Sequence, residues 1–213
     1  MQEIENFDTG LKINPNAEKI NISPSENIKN KKVITKLLKN IAESKIEDLE
    51  LHIAKAYHEN AELKCFHPIN NIIGVEEIYT KFWLPLKNSF KDLERRNCLV
   101  LGGSFQDKIF VSTISLLTGT YNNPWLNIPS NNKTIHIRLC EAHEIKEGKI
   151  SHSHILIDIM DFIRQAGFWP INKSNGVEGL WTNSISGDGS IFENFDEKSK
   201  TYGSPFNNSP KRG

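Results

Sequence analysis

One stretch constrains this chain more than any other: IHIRLCEAHEIKEGKISHSHILIDI, residues 135–159. Two runs of alternating side chains meet at Lys146-Glu147-Gly148, the pattern of a half-buried β-hairpin. A two-residue loop would pair Ile145 with Ile150 and bring His143, Glu141, His152, His154 and Asp158 to one face. A three-residue loop, with Gly148 left-handed, pairs Ile145 with Lys149. Ile135, Ile137, Leu139, Glu141, His143 and Ile145 then share a face with Ser151, Ser153, Ile155, Ile157 and Ile159. His136, Arg138, Cys140, Glu144, His152, His154 and Asp158 take the other. Each buried isoleucine is worth roughly 1.5–3 kcal/mol, so the second arrangement is preferred.

That face carries two exceptions, Glu141 and His143, about 7 Å apart along the strand. A carboxylate and an imidazole on an apolar face need partners. Two explanations stand. One is a structural network with Arg138, Ser153 or a neighbouring strand. The other is a ligand pocket in which the pair exchanges protons.

A short helix should follow the hairpin. Asp158 stands at the N-cap position, Asp161 in the first turn and Gly167 at the C-terminal end. Upstream, Val33, Leu37, Leu38 and Ile41 mark a helix over 31–43, and Leu49, Ile53, Ala56 and Tyr57 one over 46–60. A short strand at 63–66 precedes a loop at His67-Pro68. Gly74 opens a further helix over 75–84. Strands at 97–101 and 108–118 are joined by a turn at Gly102-Gly103, and 122–133 is a loop. The order predicts an α+β fold, a curved antiparallel sheet wrapped around the N-terminal helices. Residues 1–30 are expected to be a mobile arm, 31–171 the folded domain, and 172–213 a loosely ordered tail.

Composition closes off several function classes. The 213 residues carry 26 basic and 26 acidic side chains, so no charge footprint for nucleic acid is expected. No apolar run is long enough to span a membrane, and the polar N-terminus is no signal peptide. Cys65, Cys98 and Cys140 are scattered, which fits a reducing compartment and a cytoplasmic protein. His152, His154 and Cys140 have no zinc-site spacing, so neither metal nor cofactor is expected.

Several segments resemble the SnoaL-like polyketide cyclase family of the nuclear transport factor 2-like superfamily. They are HPINNIIGVEEIYTKFWLPLKNSFKDLERR, PWLNIPSNNK and RLCEAHEIKEGKI…ILIDIMDFIRQAGFWP. The later segment GLWTNSISGDGS resembles a tail that follows this domain in a tandem subgroup. The resemblance implies a cone-shaped α+β barrel with an apolar pocket at one end, and pairing of two copies through the outer sheet face. It also implies cofactor-free acid–base chemistry on an apolar or aromatic carbonyl compound. Counted from the hairpin glycine, the family's catalytic histidine falls on Glu141 and its aspartate on Ile155. Glu141 and His143 are therefore the candidate catalytic pair. Phe66, His67, Trp83, Trp125 and Ile155 are the candidate pocket lining. A non-catalytic binding or interaction module of the same fold is the alternative.

Overall fold

The computed structural model describes residues 21–169 and Asn172. The expected tail, the tandem-type segment and the first 20 residues of the expected arm lie outside the described residues.

The elements run α1 (Pro24–Glu43), α2 (Ile46–Ala56), β1 (Tyr57–Lys64), β2 (Asn71–Ile73) and α3 (Val75–Ile78). A π-helical turn (Tyr79–Trp83), α4 (Leu84–Ser89), β3 (Glu94–Phe105) and β4 (Lys108–Thr120) follow. The chain continues through β5 (Thr134–Lys146), β6 (Lys149–Ile157) and α5 (Ile159–Gln165). The six strands form one open sheet in the order β2-β1-β6-β5-β4-β3. Helices α1, α2 and α3 pack against the sheet, and Ile34, Leu38, Ile41, Leu49 and Ile53 are fully buried. The α+β architecture is as expected. The sheet, however, is mixed: β1 runs parallel to β6, because β1 reaches the sheet directly from α2 without a hairpin.

Four local expectations change. Helix α1 begins at Pro24, inside the expected arm, because the Ser23 hydroxyl caps it by accepting the Glu26 N–H at 3.2 Å. Helix α2 stops at Ala56 instead of continuing to residue 60. Tyr57 turns extended, and Tyr57, Ala61 and Leu63 then face the core in β1. The Gly102-Gly103 pair lies within β3, and the hairpin turn sits at Gln106-Asp107 with Gln106 at φ 56°. Gly102 is needed there for close packing: Asn27 Nδ2 donates to its carbonyl at 2.9 Å, and a Cβ would meet Asn27 Oδ1 at 2.2 Å. The helix predicted from residue 75 extends to Ser89 through the π turn, which lies just before Pro85 and brings both Phe82 and Trp83 inward.

The central hairpin is where register matters most. Its loop is the two-residue one: Lys146 pairs with Lys149 and Ile145 with Ile150. Glu147 and Gly148 both have positive φ, 51° and 77°, as a type I′ turn requires. The expected Ile145–Lys149 pairing is therefore replaced. A bulge then inserts Ser151, so that Glu144 pairs with His152 and Glu141 with Ile155. That single extra residue reverses the parity of β6 and restores the expected faces. Leu139, Glu141, His143, Ser153, Ile155 and Ile157 are buried, while Cys140 and His154 are exposed. Helix α5 closes the unit as predicted. Asp158 accepts the Asp161 N–H at 3.0 Å, and Gly167 takes φ 99° after the last turn.

Candidate functional site

The interior polar group is built on three adjacent strands. Glu141 on β5 lies opposite Thr113 on β4, and Arg95 enters from β3, beyond β4. Arg95 Nη2 forms a short ion pair with Glu141 Oε2, and Nη1 donates to Oε1 at 3.3 Å. Thr113 Oγ1 donates to Glu141 Oε2 at 2.8 Å. The remaining guanidinium donors reach Ser115 Oγ at 2.7 Å and Asn97 Oδ1 at 3.0 Å. Both charged side chains are withdrawn from solvent, at 0% and 1% exposure. Burial opposes the Glu141 charge, but Arg95, His143 and the Thr113 hydrogen bond outweigh it and hold the pKa below the usual carboxylate range. Glu141 is thus an ionised, fully engaged acceptor rather than a free base.

His143 is placed differently. Its Nδ1 shares a 2.8 Å hydrogen bond with Ser153 Oγ, its cross-strand partner. Its Nε2 lies 3.8 Å from Glu141 Oε1, too far for a hydrogen bond, and has no partner among the described residues. Burial pushes its pKa down to about 4 against the opposing pull of Glu141, so the ring is neutral at pH 7. Two further buried atoms lack a hydrogen bond of good geometry: Tyr57 Oη and Trp83 Nε1. They belong to the same neighbourhood. Burial raises the Tyr57 pKa to about 12, while weak hydrogen bonding to the Ser153 and Trp83 side chains draws it down and the Glu141 charge adds to the rise. One satisfied charge network therefore borders three polar side chains with hydrogen-bonding capacity to spare.

The candidate lining residues divide. Trp83 and Ile155 are buried beside this group, with Ile155 directly across from Glu141. Trp125 is not at a pocket rim: it is 3% exposed and meets Phe162 edge-on at 5.4 Å between ring centroids. The Tyr121 hydroxyl accepts the Trp125 N–H at 2.8 Å and locks its loop inward. Phe66 is half-buried at the edge of the core, and His67 is exposed in the β1–β2 turn. Two surface depressions stand out, of about 500 and 400 Å³, and neither is lined by Glu141 or His143.

Arg95, Thr113, Ser115, Asn97 and Tyr57 were not among the sequence candidates. Arg138, a suggested partner for Glu141, instead points to the outer face and pairs with Asp158 and Asp161 at 2.8 and 2.9 Å. The available signal was indirect. A carboxylate on a buried strand requires a cation, and Arg95-x-Asn97 with Thr113-x-Ser115 are polar residues repeating at strand period on neighbouring strands. Among the described residues no group of three or more metal-ligating side chains is clustered to hold an ion, and no helix is long and apolar enough to cross a membrane.

No family model matches the sequence, and no curated protein matches it significantly. Solved structures do match. A protein assigned as a SnoaL-like polyketide cyclase from Jannaschia sp. CCS1 superposes with a TM-score of 0.56 at 16% identity, over 71% of this chain and 99% of its own. AclR of Streptomyces galilaeus, assigned as a hydroxylase, gives 0.55 at 12% identity, over 69% of this chain and 86% of its own. IdmH of Streptomyces antibioticus, assigned as a polyketide cyclase, gives 0.52 at 15% identity, over 68% of this chain and 99% of its own. The protein therefore shares the α+β fold of these solved structures, SnoaL-like polyketide cyclases among them.

Proposed function

We propose that this protein binds a small apolar or aromatic carbonyl compound inside the cone, and that His143, rather than Glu141, is the group that exchanges a proton with it. The supporting observation is a set of three buried atoms without a hydrogen bond of good geometry, Trp83 Nε1, Tyr57 Oη and His143 Nε2, the first two close to each other. An indole N–H can only donate, and a phenol can donate, so the first two suit a carbonyl or enolate oxygen. A neutral imidazole nitrogen suits the acidic proton beside that carbonyl. Glu141 is removed from this role by its three hydrogen bonds from Arg95 and Thr113. It keeps Arg95 neutralised and adds a negative potential next to the ring.

A second reading is favoured by one feature of the same site. His143 is fully enclosed at 0% exposure, and Ile155, at the position where the resemblance implies an aspartate, cannot move a proton. Under this reading the cone binds its ligand without catalysis. Titration of the isotopically labelled protein with a panel of aromatic ketones, followed at the Trp83 indole N–H, tests binding. Saturable shifts that vanish in Tyr57→Phe support it, and a silent indole across the panel sinks it. Turnover of a bound ketone that His143→Gln abolishes selects the catalytic form. Turnover untouched by that change rejects the role of His143.

We also assign the outer sheet face to a second copy of the chain. Leu156, Met160 and Ile114 are exposed there, Leu156 at 64%, beside the Arg138–Asp158 pair. Leu156→Lys is then expected to convert a dimer to a monomer by native mass measurement. A wild-type monomer at micromolar concentration would remove this assignment.

A further inference from the structure

The depression of about 500 Å³ lies where the C-terminal end of α1 meets the end of α4 and the start of β3, apart from the interior polar group. Lys87 forms its base. Its side chain is withdrawn from water, with the residue 2% exposed, and Nζ donates to Ala42 O at 2.7 Å. Helix α1 has no basic residue in its last turn, so this ammonium supplies the positive charge its C-terminal end favours. That accounts for one of three N–H donors. Among the described residues Lys87 has no carboxylate within ion-pair distance and no second hydrogen bond. Burial lowers its pKa, although Glu43 and Asp92 pull it upward from further away.

The nearby acids are already engaged. Asp92 accepts the Thr120 N–H at 2.6 Å and the Thr120 hydroxyl at 2.7 Å. Glu43 accepts the Arg95 N–H at 3.1 Å and lies 3.7 Å from Lys39. Glu94 sits outward, 3.7 Å from Arg96, with both side chains largely exposed. Lys39, Lys91 and Arg96 stand around the opening with their charges toward solvent. A withdrawn ammonium with two donors to spare, ringed by mobile cations, calls for an anion.

We propose that this groove is a binding site for a compact oxyanion, a carboxylate or a phosphate, received by Lys87 at the base and enclosed by Lys39, Lys91 and Arg96 at the rim. A ligand in the groove would lie against the backbone of Arg95, whose side chain holds Glu141 inside the sheet.

The test is a titration of the full chain with inorganic phosphate and, separately, with citrate at constant ionic strength, read by amide chemical shifts. Saturable shifts confined to residues 39–43 and 87–96 are expected. They should weaken at least fivefold in a Lys91→Ala, Arg96→Ala double variant, which alters only exposed side chains, and disappear in Lys87→Met. Tighter binding of phosphate assigns the site to phosphates, and tighter binding of citrate to carboxylates. The proposal is overturned if neither anion gives a saturable shift, or if Lys29, Lys32 and Lys36 respond as strongly as the groove. Unchanged affinity in the rim variant overturns it as well.

Discussion

Arg95 reaches across the whole width of β4 to grip Glu141, so that β3 and β5, which are not neighbours in the sheet, are joined by a buried ion pair. On β4, Thr113 donates to the carboxylate and Ser115 accepts from the guanidinium, so the strand between supports both ends of that bridge. Breaking such a pair from one side is far worse than removing it, because a single buried charge is left. Arg95→Met and Glu141→Gln are each expected to lose about 3–5 kcal/mol of stability in urea denaturation. The Arg95→Met, Glu141→Leu double variant should lose much less than the sum of its two single changes. Additive losses would show that the two groups do not act as a pair.

The interior imidazole makes stability depend on pH. Its pKa is about 4 in the folded chain and about 6.5 when unfolded, so between these values the unfolded state binds the extra proton. Stability therefore falls as the pH drops from about 6.5 toward 4 and is unaffected by this group above that range. By pH 5 the loss is about 2 kcal/mol. Glu141, with its pKa held down, adds its own loss only at lower pH, as the medium approaches its folded value. His143→Gln should flatten the difference in urea midpoint between pH 7.5 and pH 5. An equally steep variant would assign the effect to other groups, His154 among them, whose pKa is also lowered by burial.

The legibility of this chain follows physical lines. The β5–β6–α5 unit could be read because alternation, the turn glycine and a capping aspartate act within a few residues of one another. The Ser151 bulge could not, because a two-residue turn with a bulge and a three-residue turn give the same faces. Only the pairing differs: Glu141 meets Ile155 rather than Ser153. Only the end of β1 was legible, within the strand expected at 63–66, and its first half was hidden for another reason. YHENAELK carries little alternation of its own, and its parallel partner β6 lies almost a hundred residues further on. The site was half legible. Glu141 and His143 stood out as polar residues on an apolar face, but their separate fates depend on Arg95, which is 46 residues away from Glu141. Trp125 lies in a loop and is nonetheless a core residue, because its ring packs on Phe162 and its backbone N–H is held by the Tyr121 hydroxyl.

Gly102 ties the first half of α1 to β3. A Cβ there would displace the Asn27 side chain that hydrogen-bonds the Gly102 carbonyl. The clash is with the end of a movable side chain, so the backbone need not shift. Gly102→Ala should lose about 1 kcal/mol, the worth of one such hydrogen bond. Amide exchange should quicken over residues 24–31 and stay unchanged in β5. Uniform acceleration across both would mean that the contact supports the whole sheet.

The Tyr57 hydroxyl separates stability from binding. It is fully buried, and its hydrogen bonds to Ser153 and Trp83 are of poor geometry. Removing a buried polar atom that has no firm partner costs little, since its desolvation is relieved at the same time. Tyr57→Phe is therefore expected to change stability by less than about 1 kcal/mol. Ser153→Ala, which strips His143 Nδ1 of its partner, should lose about 1–3 kcal/mol. If the phenol serves a carbonyl ligand, Tyr57→Phe should weaken aromatic ketone binding at least tenfold while the fold stays intact. A strongly destabilised Tyr57→Phe would show instead that the hydroxyl is bonded within the protein, and a stable variant with unchanged affinity would remove Tyr57 from the site.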